Sequence, residues 1–241
     1  MLSPDVLPKQ AIILAGGLGT RLRAVVPDRP KPMALVGGRP FLEILMEYHL
    51  SQGITRFILS VGWMAECIIG YFGNTFRGAS LEYVREEEPS GTGGALALVL
   101  NSTLDLGGRA LLLNGDTWLT VSLPQLAADA ADRPPVTMTL VGVAANDRYG
   151  GVELDAPGRV RRFGLPPGGN PALINAGCCL LEIETVRDAL TDFPPRFSLE
   201  QDLFASLAEH GLVRGSVQDA EFLDIGVPDD YRRFCAAHGA G

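Results

Sequence analysis

The 241-residue sequence contains no CxxC pair, no internal repeat and no low-complexity linker. Its four cysteines, Cys67, Cys178, Cys179 and Cys235, therefore lack the spacing of a zinc site. Adjacent Cys178 and Cys179 would face opposite sides of a strand, and all four are expected to be reduced core thiols. No apolar run approaches the roughly 18 residues that suggest a membrane span. The opening stretch "MLSPDVLPKQ" has neither the charged nor the apolar region of a secretion signal, so a soluble, cytoplasmic protein with no membrane partner is expected. Basic residues are also in deficit: 20 against 28 acidic ones give a formal net charge of -8. That balance disfavours nucleic acid as a partner, and any positive charge used on a ligand must be local.

Core-forming residues are plentiful, with 46% hydrophobic. "QAIILA" is a continuous apolar run ended by glycine, the pattern of a strand buried on both faces of a parallel sheet. "PFLEILMEYHLSQG" carries Phe41, Leu42, Ile44, Leu45, Tyr48 and Leu50 at near-helical spacing, with Gly53 at its end. "ITRFILSVG", "SLEYVREE" and "RALLLNGD" read as further strands, the last after a helical "GGALALVLN". This alternation predicts a doubly wound α/β sheet. After about residue 135 the pattern changes to strand-like pieces with short turns: "VTMTLVGVA", "GGVELD", "RVRRFG" and "ALINAGCCLLEI", with "DAPG" as a hairpin turn. "SLEQDLFASLAEHG" returns to helix with Ser198 and Gln201 in capping-box spacing, and "FLDIGVPDDYRRFCAAHG" closes with a strand and a helix started by Pro228. One domain over residues 1–241 is expected, with a change of character near 135.

The stretch after the first strand, "GGLGTRLRAVVPDRPKP", concentrates glycine and positive charge. A Rossmann fingerprint fails because its third glycine falls on Leu22, and a Walker loop fails because Lys31 sits between Pro30 and Pro32. What is left is a strand followed by a loop whose N–H groups can approach an anion, because Gly16, Gly17 and Gly19 carry no Cβ. Arg21 can fork onto phosphate oxygens, while Lys31 supplies a point charge held by flanking prolines.

"LAGGLGTRLRAVVPDRPKPM" resembles the signature of the sugar-phosphate nucleotidyltransferases, which join a sugar 1-phosphate to a nucleoside triphosphate and release pyrophosphate. The likeness continues through "EEEPSGTGGAL", "LLNGDTWL", "RYGGVELD", "INAGCCLLE", "FSLEQDLF" and "FLDIGVPDDY", several ordered motifs over most of the chain. Its short form, the "FLEILMEYHLSQG" helix and "NGDTW" are most similar to the branch that transfers guanylyl groups to D-glycero-α-D-manno-heptose 1-phosphate for bacterial surface polysaccharides. The resemblance implies a Rossmann-like three-layer αβα fold with a mostly parallel mixed central sheet. Residues from about 9 to 134 would form the nucleotide-binding half and those from about 135 to 241 the sugar-phosphate half.

The same likeness assigns roles. Arg21, Lys31 and Asp116 would be catalytic, and Asp116 with Asp224 would hold one divalent cation, Mg2+. Leu14, Ala15, Gly16, Gly17, Gly19, Thr20 and Arg21 would bind the triphosphate, and Gly91, Thr92 and Gly93 of "PSGTGG" the base and ribose. Glu88 is the acid weighed for base choice, since a carboxylate accepts the adjacent N1–H and N2–H of guanine while uracil or thymine carbonyls repel it. Asn114, Gly115, Gly150, Gly151, Asn175 and Glu200 would meet the sugar phosphate. Partners are GTP or another nucleoside triphosphate and a sugar 1-phosphate, with a homo-oligomer left open.

One departure stands out. Where many relatives carry a phosphate-binding lysine after the RYG hairpin, this chain has "RRFGLPPGG", and Arg161 or Arg162 would replace the charge but not the geometry. Hexose or N-acetylmuramate 1-phosphate enzymes using UTP, CTP or dTTP, and a catalytically silent nucleotide-sugar sensor of the same fold, are the alternatives.

Overall fold

The computed structural model describes residues 7–143, 148–166 and 172–239. Most of the opening stretch read for a secretion signal, and the end of "RRFGLPPGG", lie outside them. In chain order, β1 (Gln10–Leu14) leads through a 3₁₀ turn (Lys31–Met33) and a small hairpin, β2 (Leu35–Val36) and β3 (Arg39–Pro40), into α1 (Phe41–Ser51). There follow β4 (Arg56–Val61), α2 (Ala65–Phe72), β5 (Thr75–Phe76), β6 (Ala79–Arg85), α3 (Gly91–Leu100), β7 (Arg109–Asn114), β8 (Thr117–Leu119) and α4 (Leu123–Asp129). The rest comprises β9 (Val136–Val143), β10 (Gly151–Leu154), β11 (Val160–Leu165), β12 (Ala172–Glu182), α5 (Ile183–Ala189), a π-helix (Leu199–Phe204), α6 (Ala205–Glu209), β13 (Val213–Val217), β14 (Phe222–Asp224) and α7 (Pro228–His238).

The apolar runs become the parallel core. β7, β1, β4 and β6 lie side by side and parallel, with Ala11, Ile12 and Ile13 wholly buried because the sheet is covered on both faces. β12, β10 and β11 extend this sheet antiparallel beyond β7, and β9 with β13 joins it through β12, so strands from before and after residue 135 share one mixed ten-stranded sheet. One face packs Phe41, Leu45, Ile68 and Phe234 of α1, α2 and α7; the other packs Leu96, Val99, Val186 and Leu207 of α3, α5 and α6. Cys178 falls in the first cluster and Cys179 in the second, as strand alternation requires, and all four cysteines are free thiols. Among the described residues, no helix is long and apolar enough to cross a membrane.

Two local readings change. The inward stripe of α1 is Phe41, Leu42, Leu45, Met46 and His49, so the histidine takes the buried place expected of Leu50. The capping box at Ser198 forms by half. Ser198 Oγ accepts from Gln201 N–H, but Ser198 N–H donates to Asp202 at 2.6 Å rather than to Gln201. The wider winding of the π-helix brings the residue four places on to the position that an α-turn gives to the residue three on.

Candidate active site

The site lies where the parallel strands end, as in open α/β sheets generally. Two adjoining pockets, of about 440 Å³ and about 670 Å³, share Asn114, Asp116, Asn175, Gly177 and Glu200 and form one cleft. β12 makes the shared floor possible. At Gly177 its pairing shifts, φ is +73°, and a Cβ would approach Asn114 Nδ2 to 2.6 Å, so only glycine lets the strand cross here. Asn175 accepts from Gly177 N–H and donates to Glu200 at 2.8 Å, which ties the strand to the π-helix.

The first pocket is lined by Leu14, Ala15, Gly16, Gly17, Leu18, Gly19 and Lys31 on one side and by Gly91, Thr92, Ser198 and Leu199 on another. Leu22 is buried beneath the glycine loop, and Arg23 is pinned above it with its guanidinium 4.4 Å from the Trp63 ring. Gly115 is needed for packing against β1, since a Cβ there would come within 2.6 Å of Leu14 O. The "GTGG" stretch opens α3 and is zipped to the residues before the π-helix. Gly93 N–H donates to Phe197 O, Phe197 N–H to Ser90 O, and Leu199 N–H to Thr92 Oγ1. Gly93 itself is a buried packing residue under the Phe197 ring and does not line the pocket.

Of the acidic run, the structure brings Glu86 rather than Glu88 to the cleft. Glu88 is exposed and outside the lining of both pockets, whereas Glu86 lines the first. Glu86 N–H still pairs with Val61 O, so the residue continues β6 and its side chain turns back over β4. Its carboxylate accepts from Ser60 Oγ at 3.2 Å and Ser90 Oγ at 3.0 Å and fills the space that a Cβ on Gly16 would occupy. The acidic run hid this choice from sequence reading, because strand alternation places Glu86 and Glu88 on one side and only the end of the pairing at Glu86 separates them.

Charge gathers where the pockets meet. Asp116 follows β7, and Asp224 ends β14, whose antiparallel pairing with β8 sets Asp224 opposite Thr117. Ile225 N–H bonds Asp116 O, fastening the two segments together. Lys31 reaches this point from its proline-flanked turn with only 12% of its side chain exposed and forms an ion pair with Asp116. Gly226 gives its ammonium room, and Gly226 N–H donates to Asp224 Oδ1 at 2.8 Å. Burial, reinforced by the nearby Asp116 charge, raises the Asp224 carboxyl above its usual range, against the pull of Lys31 and Arg21.

The second pocket holds Arg21, Arg148, Tyr149, Gly150, Phe163, Gly164 and Gln201. Arg21 lies on this side rather than in the glycine-loop pocket, 67% exposed and 3.9 Å from Asp224 Oδ2. Thr20 and Gly151 line neither pocket, and Arg161 and Arg162 are exposed and also outside. Arg148 is a lining cation that the sequence reading left unassigned. Burial and the Asp224 charge push the Tyr149 hydroxyl up to about 12.

Residues 10–238 match the family described as Nucleotidyl transferase. The chain belongs to that family. It is 38% identical over 227 residues, 93% of its length and 98% of the relative's, to the D-glycero-α-D-manno-heptose 1-phosphate guanylyltransferase of Campylobacter jejuni. The enzyme of the same name from Aneurinibacillus thermoaerophilus is 37% identical, with 93% of this chain and 96% of the relative covered. Among solved structures, HddC from Yersinia pseudotuberculosis superposes with a TM-score of 0.82 at 32% identity, covering 95% of this nucleotidyltransferase and 99% of that chain, and HddC complexed with GMP-PN gives 0.81. The expected Rossmann-like fold with a mixed sheet and flanking helices therefore holds for this family member.

Proposed function

We propose that this nucleotidyltransferase is a guanylyltransferase acting on D-glycero-α-D-manno-heptose 1-phosphate. The observation that carries the reading is the convergence of Asp116, Asp224 and Lys31 where the two pockets meet. A phosphate oxygen of the sugar 1-phosphate attacks the α-phosphorus of GTP. The bond to the bridging oxygen breaks and pyrophosphate leaves. Two polyanions must meet for this, so the work of the protein is positioning and charge neutralisation. The glycine loop supplies N–H donors to the triphosphate, and Lys31 supplies a buried positive charge beside the reacting groups.

Asp116 and Asp224 would hold Mg2+. Among the described residues no group of three or more acidic, cysteine or histidine side chains is placed to hold a metal ion, and a pair of carboxylates suits a small hard cation that keeps waters and takes phosphate oxygens. When bound, the ion would neutralise developing charge on the transferred phosphoryl group. Glu86 can take the N1–H and N2–H donors of guanine, since Oε1 keeps a lone pair beyond its Ser60 bond and Oε2 can exchange its long 3.5 Å contact with Ser90 N–H for a shorter one. A nucleotide-sugar sensor has no use for two carboxylates and a lysine at the junction. The supports for guanine and heptose are the names of the relatives and the Glu86 carboxylate, and a cytoplasmic role in surface polysaccharide synthesis goes with them.

Pyrophosphate release from GTP, UTP, CTP and dTTP against heptose, mannose and glucose 1-phosphates tests this reading. The GTP and heptose pair should give the highest kcat/KM, Glu86→Gln should lose the preference for GTP, and Lys31→Ala should lower turnover on the order of 10²-fold. A parent enzyme that favours UTP would sink the guanylyl assignment.

A further inference from the structure

A sugar 1-phosphate needs a cation in the second pocket, and lysine does not supply it. The two lysines of the chain are Lys9 and Lys31. Lys9 sits at the opposite end of the strands, where its carbonyl accepts from Thr55 and Arg56 N–H, and Lys31 is engaged by Asp116. Arg162 faces Glu153 at 3.7 Å, away from the cleft. The cations lining the pocket are Arg21 and Arg148. Arg21 is a solvent-exposed loop residue beside Asp224. Arg148 is different, because a buried group holds it.

Arg148 Nη2 donates to Asp230 Oδ2 at 2.7 Å, and its guanidinium lies 5.1 Å from the centroid of the Tyr149 ring. Asp230 stands in the first turn of α7 and is 6% exposed. Its other oxygen accepts from Arg233 Nη1 at 3.1 Å. The carboxylate is thus fixed by helix geometry and by an arginine on each oxygen, and its place at a helix N-terminus favours negative charge. A guanidinium is a rigid plane of five donors on a flexible stem. Tethering one corner to a buried carboxylate and laying the plane beside an aromatic ring removes the rotational freedom that phosphate binding would otherwise have to quench. The first-turn acid on α7 thus braces, from behind, an arginine that lines the pocket.

We infer that Arg148 is the anchor for the phosphate of the sugar 1-phosphate and that Asp230 is the residue that positions it. The assignment rests on the transferase reading above and answers the missing lysine: an arginine from the start of the hairpin, braced by α7, takes its place. A purely structural clasp between that segment and α7 would use the same ion pair, so the test must separate the two.

Steady-state kinetics of Asp230→Asn does so. KM for the sugar 1-phosphate should rise about tenfold or more while KM for GTP and kcat stay within about twofold. Asp230→Glu should recover part of the loss. Arg148→Met should show the same selective rise, and adding Asp230→Asn to it should cost nothing further, because Asp230 acts through Arg148. Inorganic phosphate should compete with the sugar 1-phosphate in the parent enzyme and compete at least about tenfold less well in Arg148→Met. Equal rises in both KM values with a lowered Tm, or an unchanged KM for the sugar 1-phosphate in Arg148→Met, would overturn the inference. If the parent turns over no sugar 1-phosphate at all, the transferase reading falls. Calorimetric titration with inorganic phosphate then decides the anchor by itself: binding that Arg148→Met abolishes upholds it, and equal or absent binding overturns it.

Discussion

Asp224 shows how a buried side chain in the cleft can cost stability. Its carboxyl is raised above the ordinary range by burial and by Asp116, so it holds its proton more tightly in the folded chain than in the unfolded one. Ionising it therefore costs stability. The cost begins above the ordinary carboxylate value of about 3.9 and is complete once the pH has passed the raised value. Asp224→Asn should accordingly melt higher than the parent at pH 7 without divalent cation, converge with it below pH ~3.9, and be inactive. Thermal melts of both proteins across this range, with and without magnesium, check the prediction. A lower Tm for the variant at pH 7 would mean that Lys31 and Arg21 more than offset the burial. At this scale the sequence was legible in that Asp116, Asp224 and the proline-held Lys31, singled out from distant motifs, come together in the cleft. It was illegible within "EEEP", where three identical acids differ only in which way the strand end turns them, and Glu86 is the one that lines the first pocket.

The π-helix and α3 act as one element of the site although about a hundred residues separate them. Gly93 is the contact point, and a methyl group there would strike the Phe197 ring and push apart the strand-like zip that joins the two. Gly93→Ala should lose about 1–3 kcal/mol of stability. Affinities for GTP and for the sugar 1-phosphate should fall together, since Ser198 and Leu199 line the first pocket and Glu200 lines both. Urea unfolding and separate binding titrations measure each part, and loss of GTP affinity alone would show that the wall is not shared. The sequence pattern placed a helix at both elements. It did not reveal the π-winding of Leu199–Phe204, and so it completed a capping box that the structure closes with Asp202 instead.

Taken as a whole molecule, the fold is acid-sensitive from within. His49 is fully buried in α1, its Nδ1 has no hydrogen-bond partner, and burial lowers its pKa to about 4. Between its ordinary value of about 6.5 and that figure the unfolded chain binds a proton that the folded chain refuses, so stability falls as pH falls, by about 3 kcal/mol in total. His49→Leu should flatten this part of the stability curve, as read from unfolding free energies between pH 7 and pH 4. An unchanged slope would place the sensitivity elsewhere. The parallel core was readable because strands buried on both faces leave uninterrupted apolar runs. The double duty of β12, which pairs with three strands and bends at Gly177, was not, since one apolar run looks the same whichever neighbours it finds. The order of the site along the chain has a further consequence, for synthesis. The glycine cradle, Lys31 and Asp116 all leave the ribosome before β14 and α7, which bring the second carboxylate and the brace for Arg148. A domain folds as a unit. Since Ser198, Leu199 and Glu200 also wall the first pocket, neither pocket is complete until most of the chain has been made.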